Sequence, residues 1–173
     1  RIFTFEPLGV SYDKAVQRVA TCDNVEVYNV ALGPTESTEE LYVSSNRVSS
    51  SLLKPTGHIQ FHPRISFENK STVKTINLDN FLRGQRVEEV DLMWLDMQGY
   101  EHTVLSHSLE TLSKTRYLYS EVSLKEMYAN SPLYNEFKSW LKERGFKVLP
   151  EFLYWEDMGN VLFYNENLDT EQI

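Results

Sequence analysis

The chain has a single cysteine, Cys22, among 173 residues. No internal disulfide is therefore available, and an unpaired thiol fits a reducing compartment, so the expected location is cytoplasmic. Cys22 falls at the apolar end of a helical pattern, where a small packed residue is expected rather than a reactive thiol. Long apolar runs are also missing. The apolar stretches, such as residues 92–95, are strand-sized, against the roughly 18 residues needed to span a bilayer, so no membrane partner is expected. Arg1-Ile2-Phe3 leads straight into patterned sequence, without a signal-peptide layout. A basic excess is absent as well: 17 Lys and Arg stand against 25 Asp and Glu, for a net charge of −8. That balance argues against a nucleic-acid partner, because such affinity comes mainly from cations that neutralise phosphates. There is no internal repeat and no low-complexity linker. A length of 173 residues suits one soluble domain with a sizeable core, residues 1–173, and is short for two.

What is present alternates between strand and helix patterns. Residues 1–6 read as a short strand closed by Pro7, which cannot continue a ladder. Residues 13–22 place Ala15, Val16, Val19 and Ala20 at helical spacing. Residues 25–32 read as a second strand, stopped by Gly33-Pro34. A polar, serine-containing segment follows over residues 35–67, in which residues 40–44 pair with residues 71–78 as an added hairpin-like excursion. Residues 90–96 are mostly apolar, as in a strand covered on both faces. Residues 99–112 form a helical pattern, residues 116–122 a strand, and Ser131-Pro132 opens a helix carrying Phe137, Trp140 and Leu141 that stops at Gly145. Residues 146–152 and 160–164 are final strands around the turn Asp157-Met158-Gly159. This order predicts an α/β fold, with a mainly parallel sheet, helices on both faces and an antiparallel C-terminal edge hairpin.

In such sheets ligands bind beyond the carboxyl ends of the strands. Three strands here end in acids: Glu6, Asp96 and Glu121. A carboxylate in that place accepts two hydrogen bonds from a ribose diol, although an exposed acid or a helix cap gives the same pattern. The pair His58 and His62 has helical spacing, but Pro63 follows and no acid completes a zinc set, so no metal is expected there.

The ordered set Phe5-Glu6-Pro7, Asn29-Val30-Ala31-Leu32-Gly33, Ser50-Ser51-Leu52, Asn77-Leu78-Asp79, Asp96-Met97-Gln98-Gly99-Tyr100-Glu101 and Glu121-Val122 resembles the FkbM family of methyltransferases. No single piece is specific; their order and spacing are. The resemblance implies a Rossmann-like class I methyltransferase fold, S-adenosyl-L-methionine as cofactor, and a hydroxyl on a small-molecule acceptor. By the same resemblance Glu6 holds the cofactor ribose, and Asn29, Val30, Ala31 and Leu32 flank the adenine. Asp96 then lies near the methionine end or the transferred methyl, and Gly99 lets the next helix start close to the ligand. Ser50, Ser51 and His102 fall on the substrate side, and Glu101 complements a helix dipole. The family's first strand, its glycine-rich turn and the following helix have no counterpart here, since the seven glycines are scattered and form no G-x-G. That strand would lie between the strands ending at Glu6 and Asp96, so direct pairing of those two is expected.

Loss of a hydroxyl proton calls for a general base, for which Asp96 and Glu121 are the first candidates by position and His102 the third. A divalent cation held by the same two acids is the alternative, because oxygen ligands suit Mg²⁺. The expected reaction is O-methylation of a small metabolite or a sugar-containing molecule. A non-catalytic Rossmann-like binding module and a nicotinamide-dependent oxidoreductase are the rival readings. The sequence leaves homo-oligomerisation open.

Overall fold

The computed structural model describes residues 1–153 and 155–168. In chain order the elements are β1 (Ile2–Phe5), α1 (Gly9–Arg18), β2 (Val25–Tyr28), β3 (Ala31–Leu32), β4 (Ser37–Val43), α2 (Gly57–Phe61), β5 (Asn69–Ile76), α3 (Leu78–Gly84), β6 (Val90–Leu95), α4 (Glu101–Ser106), α5 (Leu109–Ser113), β7 (Thr115–Ser123), α6 (Tyr134–Lys142), β8 (Phe146–Phe152) and β9 (Met158–Asn165). A final 3-10 turn spans Glu166–Leu168. No helix among the described residues is long and apolar enough to cross a membrane.

The architecture is α/β, but the sheet differs from the expected one. The strands form three groups, β1-β2, β3-β5-β4 and β6-β7-β9-β8. Three neighbouring pairs are parallel (β1-β2, β3-β5, β6-β7) and three antiparallel (β4-β5, β7-β9, β8-β9), so the sheets are mixed rather than mainly parallel. The single strand expected over residues 25–32 breaks at Asn29-Val30: β2 pairs with β1, while β3 crosses to β5. Direct pairing of the strands ending at Glu6 and Asp96 does not occur. Among the described residues β1 pairs only with β2, and β6 only with β7. The excursion of β4 against β5 is as expected, running from Ser37↔Thr75 to Val43↔Asn69.

One face of the four-stranded sheet carries the core. Met93, Leu95, Leu118, Val161 and Phe163 pack there with Leu82 of α3, Val104 and Leu105 of α4, Leu112 of α5, and Phe137 and Leu141 of α6. Tyr134, Phe137 and Leu141 recur at helical spacing, which gives α6 one apolar stripe. The opposite face is open. Leu92 is 54% and Trp94 70% exposed, so β6 is not covered on both faces as its apolar sequence suggested. Helix α1 runs over Gly9–Arg18, earlier than expected, and leaves Cys22 beyond its end and exposed. The helix expected over residues 99–112 is two short helices, divided at His107-Ser108.

Candidate active site

Strand β6 ends at Leu95, and the chain reverses through residues 96–100 before α4 begins. The reversal uses two left-handed residues, Gln98 (φ 54°) and Gly99 (φ 90°). Glycine accepts that conformation freely, whereas for glutamine it costs about 1 kcal/mol. A side chain at Gly99 would also place its Cβ 3.0 Å from Ser131 Cβ. What holds Gln98 there is a full set of partners. Its Nε2 donates to Asp96 Oδ1 and to Glu121 Oε2, each at 2.7 Å. Its Oε1 accepts from the Tyr128 hydroxyl at 2.9 Å, and its carbonyl accepts from Ser51 Oγ at 2.8 Å. Glu101 closes the turn from the helix side by accepting from Met97 N at 2.7 Å.

The electrostatics follow from this packing. Burial, and then the neighbouring carboxylates of Asp96, Glu101 and Asp157, raise Glu121 to about 8. Burial raises Glu101 to about 7. At neutral pH Glu121 is therefore a carboxylic acid that still carries its proton. Burial, with the same acids, also raises the Tyr128 hydroxyl, which stays a donor. Asp96 is exposed at the strand end.

Facing this cluster is α2. Thr56 N and His58 N both donate to Met127 O at 3.0 Å, and a Cβ on Gly57 would meet Glu126 O at 2.0 Å, so close approach fixes α2 against residues 126–128. His58 is buried, and its Nδ1 has no hydrogen-bond partner among the described residues. Burial, and then His62, lower its pKa. The His58 and His62 rings lie 4.9 Å apart, and His62 Nε2 sits 2.7 Å from Asp157 Oδ2. That contact has ion-pair distance without full hydrogen-bond alignment, since Nε2 satisfies no bond by angle. Asp96, Gln98, Glu121, His58 and His62 line one open cleft of about 210 Å³, with Val48, Ile65 and Met158 as its apolar margin. No Lys or Arg lines it.

The structure thus joins Asp96 to Glu121 through Gln98. Glu6 stands apart, at the end of β1, where burial raises its pKa and its Oε1 accepts from Leu8 N at 2.8 Å. Asn29 stays with it, since its Nδ2 donates to Glu6 O at 2.9 Å and to Pro7 O at 3.1 Å. Val30 is half-buried, while Ala31 and Leu32 are buried in the core. Ser51, expected toward substrate, is buried, and its hydroxyl is spent on the Gln98 carbonyl. Ser50 bonds within its own loop, donating to Arg47 O. His102 packs edge-on to Trp140 at 4.7 Å, away from the cleft, beside a cavity of about 10 Å³ on the other side of Glu121. Glu101 stands in the first turn of α4, where a carboxylate complements the helix dipole, and is also a buried tie within the turn. Among the described residues no set of three or more His, Cys, Asp and Glu is arranged to hold a metal ion. Gln98, Tyr128, His62 and Asp157 had no assigned role in the sequence reading. The i,i+4 histidines were visible there, but their acid partner lies far along the chain.

Comparison with known proteins settles the family. Residues 1–148 match the profile described as Methyltransferase FkbM domain. The chain belongs to this FkbM family. A similar family relative is 2-O-methyltransferase NoeI of Sinorhizobium fredii (strain NBRC 101917 / NGR234), 27% identical over 135 residues. The aligned region takes in 74% of this chain and 56% of that relative, so the FkbM chain described here spans about half its length. No solved structure matches the chain.

Proposed function

We propose that this protein transfers a methyl group from S-adenosylmethionine to a hydroxyl of a small metabolite or a sugar-containing molecule. The observation that carries the reading is the Asp96–Gln98–Glu121 cluster, built into a left-handed turn at the end of a parallel strand and open to a cleft without Lys or Arg. Strained backbone tied to paired carboxyl groups marks a functional site more than a structural one. A cleft of this lining suits an uncharged acceptor, with hydrogen-bonding groups on one wall and Val48, Ile65 and Met158 beside it. The name of the relative, a 2-O-methyltransferase, supports oxygen as the atom methylated. The parallel pairs β1-β2 and β6-β7, each ending in an acid, support a Rossmann-like class I arrangement.

The residues present fit the cofactor. Glu6 spends one carboxylate oxygen on Leu8 N and leaves the other without a partner among the described residues, half-buried, as a ribose diol requires. Asn29 keeps its side-chain oxygen beside it, and Asp96 offers an exposed negative charge suited to a cationic group. When bound, S-adenosylmethionine supplies an electrophilic methyl on a sulfonium sulfur, which leaves as a neutral thioether. The protein's part is to orient, to exclude water and to manage the acceptor proton.

Calorimetric titration with S-adenosylmethionine tests the reading. Glu6→Ala removes two charge-assisted hydrogen bonds, worth about 2–4 kcal/mol, and should weaken affinity at least about tenfold with the fold intact. Equal affinity in the variant removes Glu6 from the site. No binding by the unsubstituted protein favours a binding module over an enzyme.

A further inference from the structure

We propose that His62, oriented by Asp157, is the general base that removes the proton from the acceptor hydroxyl; the assignment rests on the methyl-transfer reading above. Neither residue gained a role from the sequence, because the two are 95 positions apart, at 62 and 157. Folding brings His62 Nε2 to 2.7 Å from Asp157 Oδ2. Asp157 is well fixed for the purpose: its carbonyl accepts from Leu124 N at 2.7 Å, and its side chain is 12% exposed against 37% for His62. The Asp157 carboxylate stands at ion-pair distance from Nε2, off hydrogen-bond alignment, and its charge favours the proton on that nitrogen over Nδ1. Nδ1 has no partner among the described residues. A histidine held in one tautomer by an acid, with its other nitrogen free, is the arrangement that general-base catalysis needs.

The surroundings favour His62 over its neighbours. His62 lines the same cleft as Asp96, Gln98 and Glu121. Burial and the neighbouring acids bias the Glu121 carboxyl toward its protonated form, which suits it to donate to the acceptor. The Asp96 carboxylate is tied to Gln98. His58 is buried, its charged form is disfavoured, and it therefore adds no fixed positive charge beside the imidazolium that forms. Around His62 stand His58 on α2, Asp157 before β9, Asp96 and Glu121 at the sheet ends, and Lys125, whose Nζ lies 4.8 Å from the ring centroid of the neighbouring Phe61.

In the step, the acceptor O–H bond breaks as an N–H bond forms at His62 Nδ1. The electron pair of that O–H bond stays on the acceptor oxygen, which would bond the methyl carbon as the donor's carbon–sulfur bond breaks and its pair goes to sulfur. Asp157 balances the imidazolium, and the exposed side of His62 returns the proton to water.

The test has two arms on the intact protein. In the first, turnover of a neutral polyol acceptor with S-adenosylmethionine falls about 100-fold or more in His62→Gln, while donor affinity by calorimetry holds within about twofold. Imidazole added to His62→Ala restores turnover at least about tenfold, a recovery that a packing role does not give. In the second, with no donor present, nitrogen-15 NMR of the neutral ring finds His62 protonated at Nε2, and Asp157→Asn mixes the two tautomers. Turnover of His62→Gln within about threefold of the parent overturns the assignment, as does a proton fixed on Nδ1. If the unsubstituted protein transfers no methyl, the reading of its function falls, and that result is separate from a loss confined to the His62 variants.

Discussion

The Tyr128 hydroxyl and the Gln98 amide oxygen meet at 2.9 Å, across 30 positions of sequence. The Asp96 carboxylate, an acceptor, decides which way the amide faces. Nε2 turns toward Asp96 and Glu121, where both of its hydrogens are used, and Oε1 is left toward the Tyr128 hydroxyl, which also lies 2.8 Å from Ser49 O. The two carboxyl groups are thus held together by a neutral donor rather than by a cation.

Removing this bridge should be costly. Gln98→Leu keeps the volume but takes the amide donor from Glu121, while the Tyr128 hydroxyl keeps Ser49 O at 2.8 Å, so unfolding free energy should fall by about 1–3 kcal/mol. Tyr128→Phe removes only the hydroxyl and should cost about 1–2 kcal/mol. Urea denaturation of both variants measures the difference. Parity with the parent in Gln98→Leu would mean that the cluster is not a buried network.

Glu121 makes stability depend on pH in a set direction. Its folded pKa, about 8, lies above the ordinary value of 4.5, so the folded state holds this proton more tightly than the unfolded chain. The stabilisation is full below the unfolded value and is lost as pH rises through about 8. Glu101, raised to about 7, acts in the same sense. His58 acts oppositely, but only below its ordinary value of 6.5, so comparison above that pH isolates the acids. Glu121→Gln should therefore gain on the parent by at least about 1.4 kcal/mol between pH 6.5 and pH 9, as followed by denaturant titration. A constant difference over that range would show Glu121 ionised throughout.

Asp96 should affect the reaction more than the binding. Asp96→Asn preserves shape and removes the exposed charge at the strand end, so turnover should drop by about tenfold or more while donor affinity changes less. Steady-state kinetics beside calorimetry separates the two. Turnover within about threefold of the parent would make Asp96 structural.

Much of this was legible in the sequence because it rests on local pattern. The acids at strand ends, the β4–β5 excursion and the closing β8–β9 pair follow from alternation and turn residues close together in the chain. The failures have one physical source: contacts between distant segments. Asn29 breaks the expected strand because its amide is drawn to the carbonyls of Glu6 and Pro7. Ser51 reads as a polar loop residue, yet it is buried by a bond to Gln98, 47 positions away. The apolar run at Leu92 and Trp94 reads as doubly covered, whereas the outer face of β6 stays exposed, with Trp94 edge-on to Tyr119. Gln98 lies inside the motif Asp96-Met97-Gln98-Gly99-Tyr100-Glu101, but nothing local shows that a glutamine adopts φ 54° there.

The central claim is methyl transfer from S-adenosylmethionine to oxygen, and product analysis tests it most directly. The protein is incubated with donor carrying a deuterated methyl group and with neutral, hydroxyl-rich small molecules, including simple sugars, and the products are examined by mass spectrometry and NMR. The account predicts a labelled methyl ether on one hydroxyl carbon of the acceptor, formed in step with S-adenosylhomocysteine. Label on nitrogen or carbon, or no labelled product while the donor is demonstrably bound, would contradict it.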